Sequence, residues 1–173
     1  MAPMPTAIRV AQTVGITASA FASGSILSLS YASVPSFLLA PSPILVRQWH
    51  SAYESGKIIN PSISALSALS YAFLSYRLYG TLNHPKAEMY ALSALLTVAI
   101  VPYTAIGMQP TNKKLKKKLE EMKGLDIGEK ATEIGLAKGE SAKELLDWWA
   151  TLNFGRGIFP LVGAILGMWA TLQ

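Results

Sequence analysis

Four stretches with few polar side chains and almost no charge divide the chain, at about residues 10–34, 61–80, 89–109 and 150–172. Each is near the ~20 residues that an α-helix needs to cross the hydrocarbon of a bilayer. The pattern predicts an all-α, four-transmembrane-helix bundle with short amphipathic or charged loop helices, the whole chain forming a single integral membrane domain. Pro35, Pro41 and Pro43 punctuate the exit of the first stretch, which is too long, behind the lone Arg9, for a cleaved signal peptide. The second opens at Asn60-Pro61, an N-cap followed by proline in the first turn, and Arg77 near its end can snorkel to the interface. Pro102 predicts a kink in the third. The fourth is approached through Ser141-Ala142-Lys143-Glu144, whose spacing is that of a capping box, and Pro160 predicts a bend within it.

The polar positions refine this picture. Ser, Ala and Gly crowd the first two spans, where small residues let helices approach and hydroxyls bond across the contact; the first would also permit self-association into a homo-oligomer. Between the third and fourth spans lies a charged loop, 110–147, with a helix predicted from an Asn112 cap to Gly124 and a second over 128–139. Its lysines abut the third span and are expected to stay cytoplasmic. Both termini then face the lumen of an endomembrane such as the ER or a vesicle. Tyr76, Tyr79, Tyr90 and Trp169 would form one interfacial aromatic belt, and Trp49, Trp148 and Trp149 the other.

Composition agrees: hydrophobic residues make up 51 % and charged residues 14 %, against roughly 25 % charged in soluble domains. The net charge of +5 does not point to nucleic acid, because nine of the fifteen basic residues are lysines between Lys113 and Lys143, offset by eight carboxylates between Glu120 and Asp147. With no cysteine and two histidines predicted on opposite sides of the membrane, neither a zinc site nor a facial iron triad can be built within one chain; a haem or metal shared between chains stays open. No glycine-rich phosphate loop follows a strand, so nucleotide and flavin fingerprints are absent.

Two clusters of reactive side chains fall on the same predicted side of the membrane. One is Arg47-Gln48-Trp49-His50, with Tyr53 and Glu54, in the loop joining spans one and two; the other is Trp148 to Arg156. If the first is helical, Trp49 and Tyr53 share a face and His50 and Glu54 the next. In the second, Trp149, Asn153 and Arg156 form an i, i+4, i+7 stripe. An amide and a permanent cation at the mouth of a span are costly unless they face a partner or a cavity, and an intramembrane ionisable residue is a functional candidate for that reason. Tyr103 and Thr104, beside Pro102, either line a cavity or satisfy the kinked backbone. An imidazole changes charge near neutral pH, which makes His50 a candidate proton carrier, although a solvated interfacial histidine and ordinary tryptophan anchors are the plainer readings.

The runs VRQWHSAYESGKIINPSISALSALSYAFL, VPYTAIGMQPTNKKL and WWATLNFGRGIFPLVGAILG resemble, in order and spacing, the fungal anthrone oxygenases, small four-span membrane proteins. The resemblance covers nearly the whole chain. It implies oxidation of a polyketide anthrone to an anthraquinone by molecular oxygen as co-substrate, with no metal, flavin or other cofactor. It also implies a division of labour: Arg156 and Asn153, with Arg47, as donors to the developing enolate; His50 as base, with Tyr53, Glu54 or water as alternatives; and Trp49, Tyr53 and Trp149 around the rings. Gln48, Tyr103 and Asn112 belong to the same motifs and are expected at the substrate. The alternative is a non-catalytic membrane scaffold or lipid-binding protein held to anionic headgroups through Lys113 to Lys118.

Overall fold

A computed structural model describes residues 5–80, 84–123 and 140–173, and these are all-α. In chain order the elements are α1 (Thr6–Ser28), a π-helical turn (Leu29–Ser33), α2 (Val34–Leu38), α3 (Ser42–Leu78), α4 (His84–Val98), α5 (Ile100–Tyr103), a second π-helical turn (Thr104–Met108), α6 (Gln109–Glu121) and α7 (Ala142–Leu172). Among the described residues, four continuous helical stretches are long and apolar enough to cross a membrane: Thr6–Leu38, Ser42–Leu78, His84–Glu121 and Ala142–Leu172. The second helical piece expected over 128–139 lies outside the described residues.

The prolines explain where winding changes. A proline lacks the N–H that would bond four residues back, and its ring crowds that carbonyl. The first π-turn ends two residues before Pro35, and Val34 N–H bonds Leu29 in the five-residue pattern. Pro102 lies just after the break at Ala99 and just before the second π-turn, the irregularity expected of it. Pro61 and Pro160, by contrast, sit inside unbroken helices. Asn60-Pro61 therefore does not start a helix: α3 begins eighteen residues earlier at Ser42, with Pro43 in its first turn, and Arg47–Gly56 is helix rather than loop. Asn112 likewise is no cap, being buried within α6. The capping box at the head of α7 forms as its spacing predicts. Glu144 N–H donates to Ser141 Oγ at 3.2 Å, and Ser141 N–H donates back to Glu144 Oε2 at 3.4 Å.

The described residues fall into two compact units. One unit holds the described parts of Met1–Ser25, Ile59–Pro102 and Gly157–Gln173. Its helices are joined by buried polar contacts. Ser19 Oγ donates to the Pro160 carbonyl (2.7 Å) and sits 3.0 Å from Thr97 Oγ1, while Ser23 and Ser67 donate to the carbonyls of Gly157 and Gly15. Gln12 donates to Tyr90 Oη, itself 2.9 Å from Thr171 Oγ1. Each such bond contributes roughly 0.6 kcal/mol in a membrane, so close packing has to supply the rest. Glycine permits that packing: a Cβ on Gly167 would meet Tyr71 Cε1 and Oη at 2.5 Å, and one on Gly163 would meet Thr97 Oγ1 at 2.6 Å. Tyr90 stacks on Tyr71 and is fully buried, so it is not part of an aromatic belt; Tyr76, Tyr79 and Trp169 are exposed, as belt residues should be.

The other unit, Ile26–Ile58 with the described parts of Tyr103–Arg156, is built around Leu45, Val46, Trp49, Met108, Leu115, Leu146 and Trp149. Trp49 and Trp149 are core side chains in edge-to-face contact, centroids 6.2 Å apart. Only Trp148 of that predicted belt is exposed. The candidate chemistry lies in this unit.

Candidate functional site

One face of α7 carries Trp149, Asn153 and Arg156 inward, all buried. Asn153 is 0 % exposed and its carboxamide is fully used. Its Nδ2 donates to the Ile26 carbonyl at 2.7 Å and to Ser30 Oγ at 2.9 Å, while its Oδ1 accepts from Arg156 Nη2 at 2.7 Å. Arg156 Nη1 donates to Thr104 Oγ1 at 3.2 Å. Ser30 and Thr104 each belong to one of the π-turns, so both departures from regular winding deliver a partner to this pair. Such turns recur at functional sites.

Arg156 Nε is buried and has no hydrogen-bond partner among the described residues. No described carboxylate pairs with the guanidinium either: the ion pairs involve Lys57, His84, Lys117, Lys118 and Lys123. Burying a charge without a counter-ion is strongly unfavourable, and Asn153 and Thr104 supply dipoles, not charge.

Arg156 borders a small cavity, about 20 Å³, whose walls include Leu29, Tyr53, Lys57, Met108, Asn112 and Trp149. Asn112 and Trp149 are locked together, the indole Nε1 donating to Asn112 Oδ1 at 2.9 Å. Tyr53 stacks on Trp49 with centroids 5.2 Å apart and has two ammonium groups near its ring, Lys116 at 4.7 Å and Lys57 at 5.9 Å. Lys57 also pairs with Glu54. The result is a small, largely apolar cavity bordered by Tyr53, Trp149, Arg156 and Lys57, with Lys116 against the ring of Tyr53.

The sequence profile of the anthrone oxygenase family matches residues 49–166, a segment containing Trp49, Tyr53, Thr104, Asn112, Trp149, Asn153 and Arg156. Anthrone oxygenase encC of Aspergillus fumigatus is 34 % identical over 170 residues, spanning 92 % of this chain and 91 % of that protein. Anthrone oxygenase AgnL2 of Paecilomyces divaricatus is 33 % identical, spanning 91 % and 92 %. The chain belongs to the anthrone oxygenase family. Monooxygenase hypC of Dothistroma septosporum is also similar, at 29 % identity over 94 % of this chain and 83 % of that protein. No solved structure matches.

In this anthrone oxygenase family member, the structure brings Tyr53, Asn112, Trp149 and Arg156 onto one cavity wall. Asn153 stands behind Arg156, and Trp49 behind Tyr53 and Trp149. Tyr103 is not among the residues lining this cavity: its hydroxyl donates to the Leu152 carbonyl at 3.1 Å, and it lies so close to Gly155 that a Cβ there would stand 3.0 Å from Tyr103 Oη. His50 is half-buried and not among the cavity-lining residues. Arg47 and Gln48 are exposed on α3, and Arg47 Nη2 reaches the Lys123 carbonyl at 3.5 Å. Sequence reasoning passed over Ser30, Gly56, Lys57 and Lys116. Lys57 was within reach of it, since Tyr53, Gly56 and Lys57 stand at i, i+3 and i+4 on one helical face. Among the described residues no group of three His, Asp or Glu side chains could hold a metal ion.

Proposed function

We propose that the protein oxidises an anthrone to the anthraquinone with molecular oxygen, at the cavity beside Arg156. The observation that carries this reading is the buried guanidinium, which among the described residues has an unpaired Nε and no carboxylate partner, bordering an aromatic-walled cavity. A fixed cation in a dry site suits an oxygen that becomes negative during the reaction, and preorganised donors of this kind supply several kcal/mol of barrier reduction.

Removal of a proton from the methylene carbon of an anthrone places charge on the carbonyl oxygen, to which Arg156 Nε–H donates a hydrogen bond. The electron-rich anthrolate reduces oxygen at that carbon, giving a hydroperoxide. Loss of the second hydrogen from the carbon as a proton, with cleavage of the O–O bond, leaves the quinone carbonyl, and the departing hydroxide takes up a proton to become water. The substrate supplies all the electrons, so the proposal needs no bound metal, flavin or haem. Proton removal is assigned to Tyr53, which lines the cavity and would act as its phenolate beside Lys57 and Lys116, becoming the phenol as it takes the proton, in preference to His50, which is not a lining residue.

The slot at about 20 Å³ has room for little more than a water molecule, whereas ligand sites for small organic molecules run to about 300–1,000 Å³. Ring entry therefore displaces a wall. Tyr53 and Lys57, half-buried and exposed on α3, are the part free to move. We assign the α6 end of the third span to the cytoplasmic side of an endomembrane and both termini to its lumen, a reading that the lysines from Lys113 to Lys118 support because basic residues beside a span favour the cytoplasmic face, and that protease protection of terminal tags would check.

The test of function is purification in detergent, addition of an anthrone under air, and measurement of quinone formation with oxygen uptake. Turnover above the spontaneous rate by wild type, lost in Arg156→Met, supports the reading; equal rates with and without protein remove it.

A further inference from the structure

The outer edge of the cavity has a charge imbalance that the enolate does not use. Lys57 and Lys116 come from different helices, α3 and α6, yet both ammonium groups lie near the ring of Tyr53, at 5.9 and 4.7 Å. The only carboxylate paired there is Glu54, on Lys57; among the described residues Lys116 makes no ion pair. Arg156 and Lys57 line the slot and Lys116 stands against Tyr53, one of its walls, so that three cations and one paired carboxylate, Glu54, gather about it among the described residues. Two ammonium groups converging on one ring repel each other, and cation–π attraction of about 0.5–1 kcal/mol at exposed sites offsets that weakly. An anion at the mouth would relieve it.

We infer, resting on the oxidation proposed above, that the preferred substrate is an anthrone bearing an ionised carboxylate on an outer ring, held by Lys116 with support from Lys57 while the carbonyl oxygen points to Arg156. The two anionic ends of such a molecule match the two cationic ends of the slot, which would fix the orientation of the rings as well as their affinity. Lys116 is thus a specificity-determining residue, separate from the chemistry at Arg156.

The experiment compares anthrone with anthrone-2-carboxylate, a pair differing in one group, through kcat/KM in detergent for wild type, Lys116→Met and Lys116→Arg. Wild type should prefer the acid by about tenfold, a factor corresponding to one well-placed ionic contact, and the preference should shrink as salt is raised. Lys116→Met should lower the acid-to-neutral ratio about tenfold, chiefly through KM, and Lys116→Arg should restore most of it. Equal use of both substrates by wild type, or a Lys116→Met loss of the same factor on both, would overturn the carboxylate inference and leave anthrone oxidation standing. Oxidation of neither substrate overturns the anthrone reading itself, and this inference with it.

Discussion

Arg156 Nη2 donates to Asn153 Oδ1 at 2.7 Å, one helical turn back along α7, and Asn153 passes the constraint on to Ile26 and Ser30. In the proposed reaction the amide is therefore a positioning residue. Both of its N–H groups are committed to protein acceptors, leaving none for a substrate oxygen. Asn153→Leu should strip Arg156 of its best-placed acceptor and orphan a buried carbonyl. A loss of about 1–3 kcal/mol in stability is expected from the unsatisfied groups, read by thermal unfolding in detergent, together with a fall in kcat.

Asn153→Asp is the more diagnostic change. It keeps the shape and gives Arg156 a carboxylate within hydrogen-bond distance, so the guanidinium is neutralised inside the protein. Turnover should fall by ten- to a hundredfold or more, in the range seen when an oxyanion donor is disabled, while thermal stability stays closer to wild type than in Asn153→Leu. Wild-type turnover in Asn153→Asp would show that an uncompensated charge is not what the site requires.

Removing the cation itself should separate stability from activity. A buried charge without a counter-ion is unfavourable, and replacing buried ionic groups with apolar ones of similar volume is often neutral or stabilising. Arg156→Met should retain or raise the unfolding temperature while lowering kcat by about two to three orders of magnitude. A variant both unstable and inactive would assign Arg156 to the fold.

Tyr103 and Gly155 form a coupled pair. Gly155→Ala brings a methyl to 3.0 Å from Tyr103 Oη, and the hydroxyl cannot yield without losing the Leu152 carbonyl. Gly155→Ala alone should destabilise by about 1–3 kcal/mol, and Tyr103→Phe in the same chain should recover part of that. A double-mutant cycle measures the coupling, and strict additivity would show that the two side chains do not meet.

Close approach elsewhere is equally testable. A Cβ at Gly167 would overlap the buried ring of Tyr71 at 2.5 Å, whereas one at Gly24 meets nothing within 4 Å. Gly167→Ala should lower the unfolding temperature markedly; Gly24→Ala should leave it unchanged or raise it, alanine being the better helix former. Equal effects would mean that the helices do not pack this tightly.

How much of this was legible in the sequence depended on what each residue could be mistaken for. The spans were legible because lipid leaves a hydropathy signal that few alternatives produce, and the stripe of Trp149, Asn153 and Arg156 followed from helical spacing alone. Helix starts were not. Asn60-Pro61 and Asn112 have the chemistry of caps, but in a membrane neighbouring groups can satisfy a proline-interrupted backbone, and an asparagine's carboxamide serves an indole as readily as a helix end. Trp49 and Trp149 were misplaced at an interface because tryptophan suits both core and headgroup region. The π-turns leave no sequence mark beyond nearby prolines, so Ser30 as a partner of Asn153 was invisible.

The two π-turns also bear on how this protein can vary. Such a turn amounts to a single surplus residue accommodated within a helix. Deleting one position from Leu29–Ser33 would restore ordinary winding and leave Val34 in the core it now fills, but it would remove the wide turn that presents Ser30 to Asn153 and Leu29 to the cavity. Indel scanning should therefore find single deletions inside the turn compatible with folding but not with full turnover, and single deletions in the regular helix on either side, which rotate everything after them by about 100°, incompatible with folding.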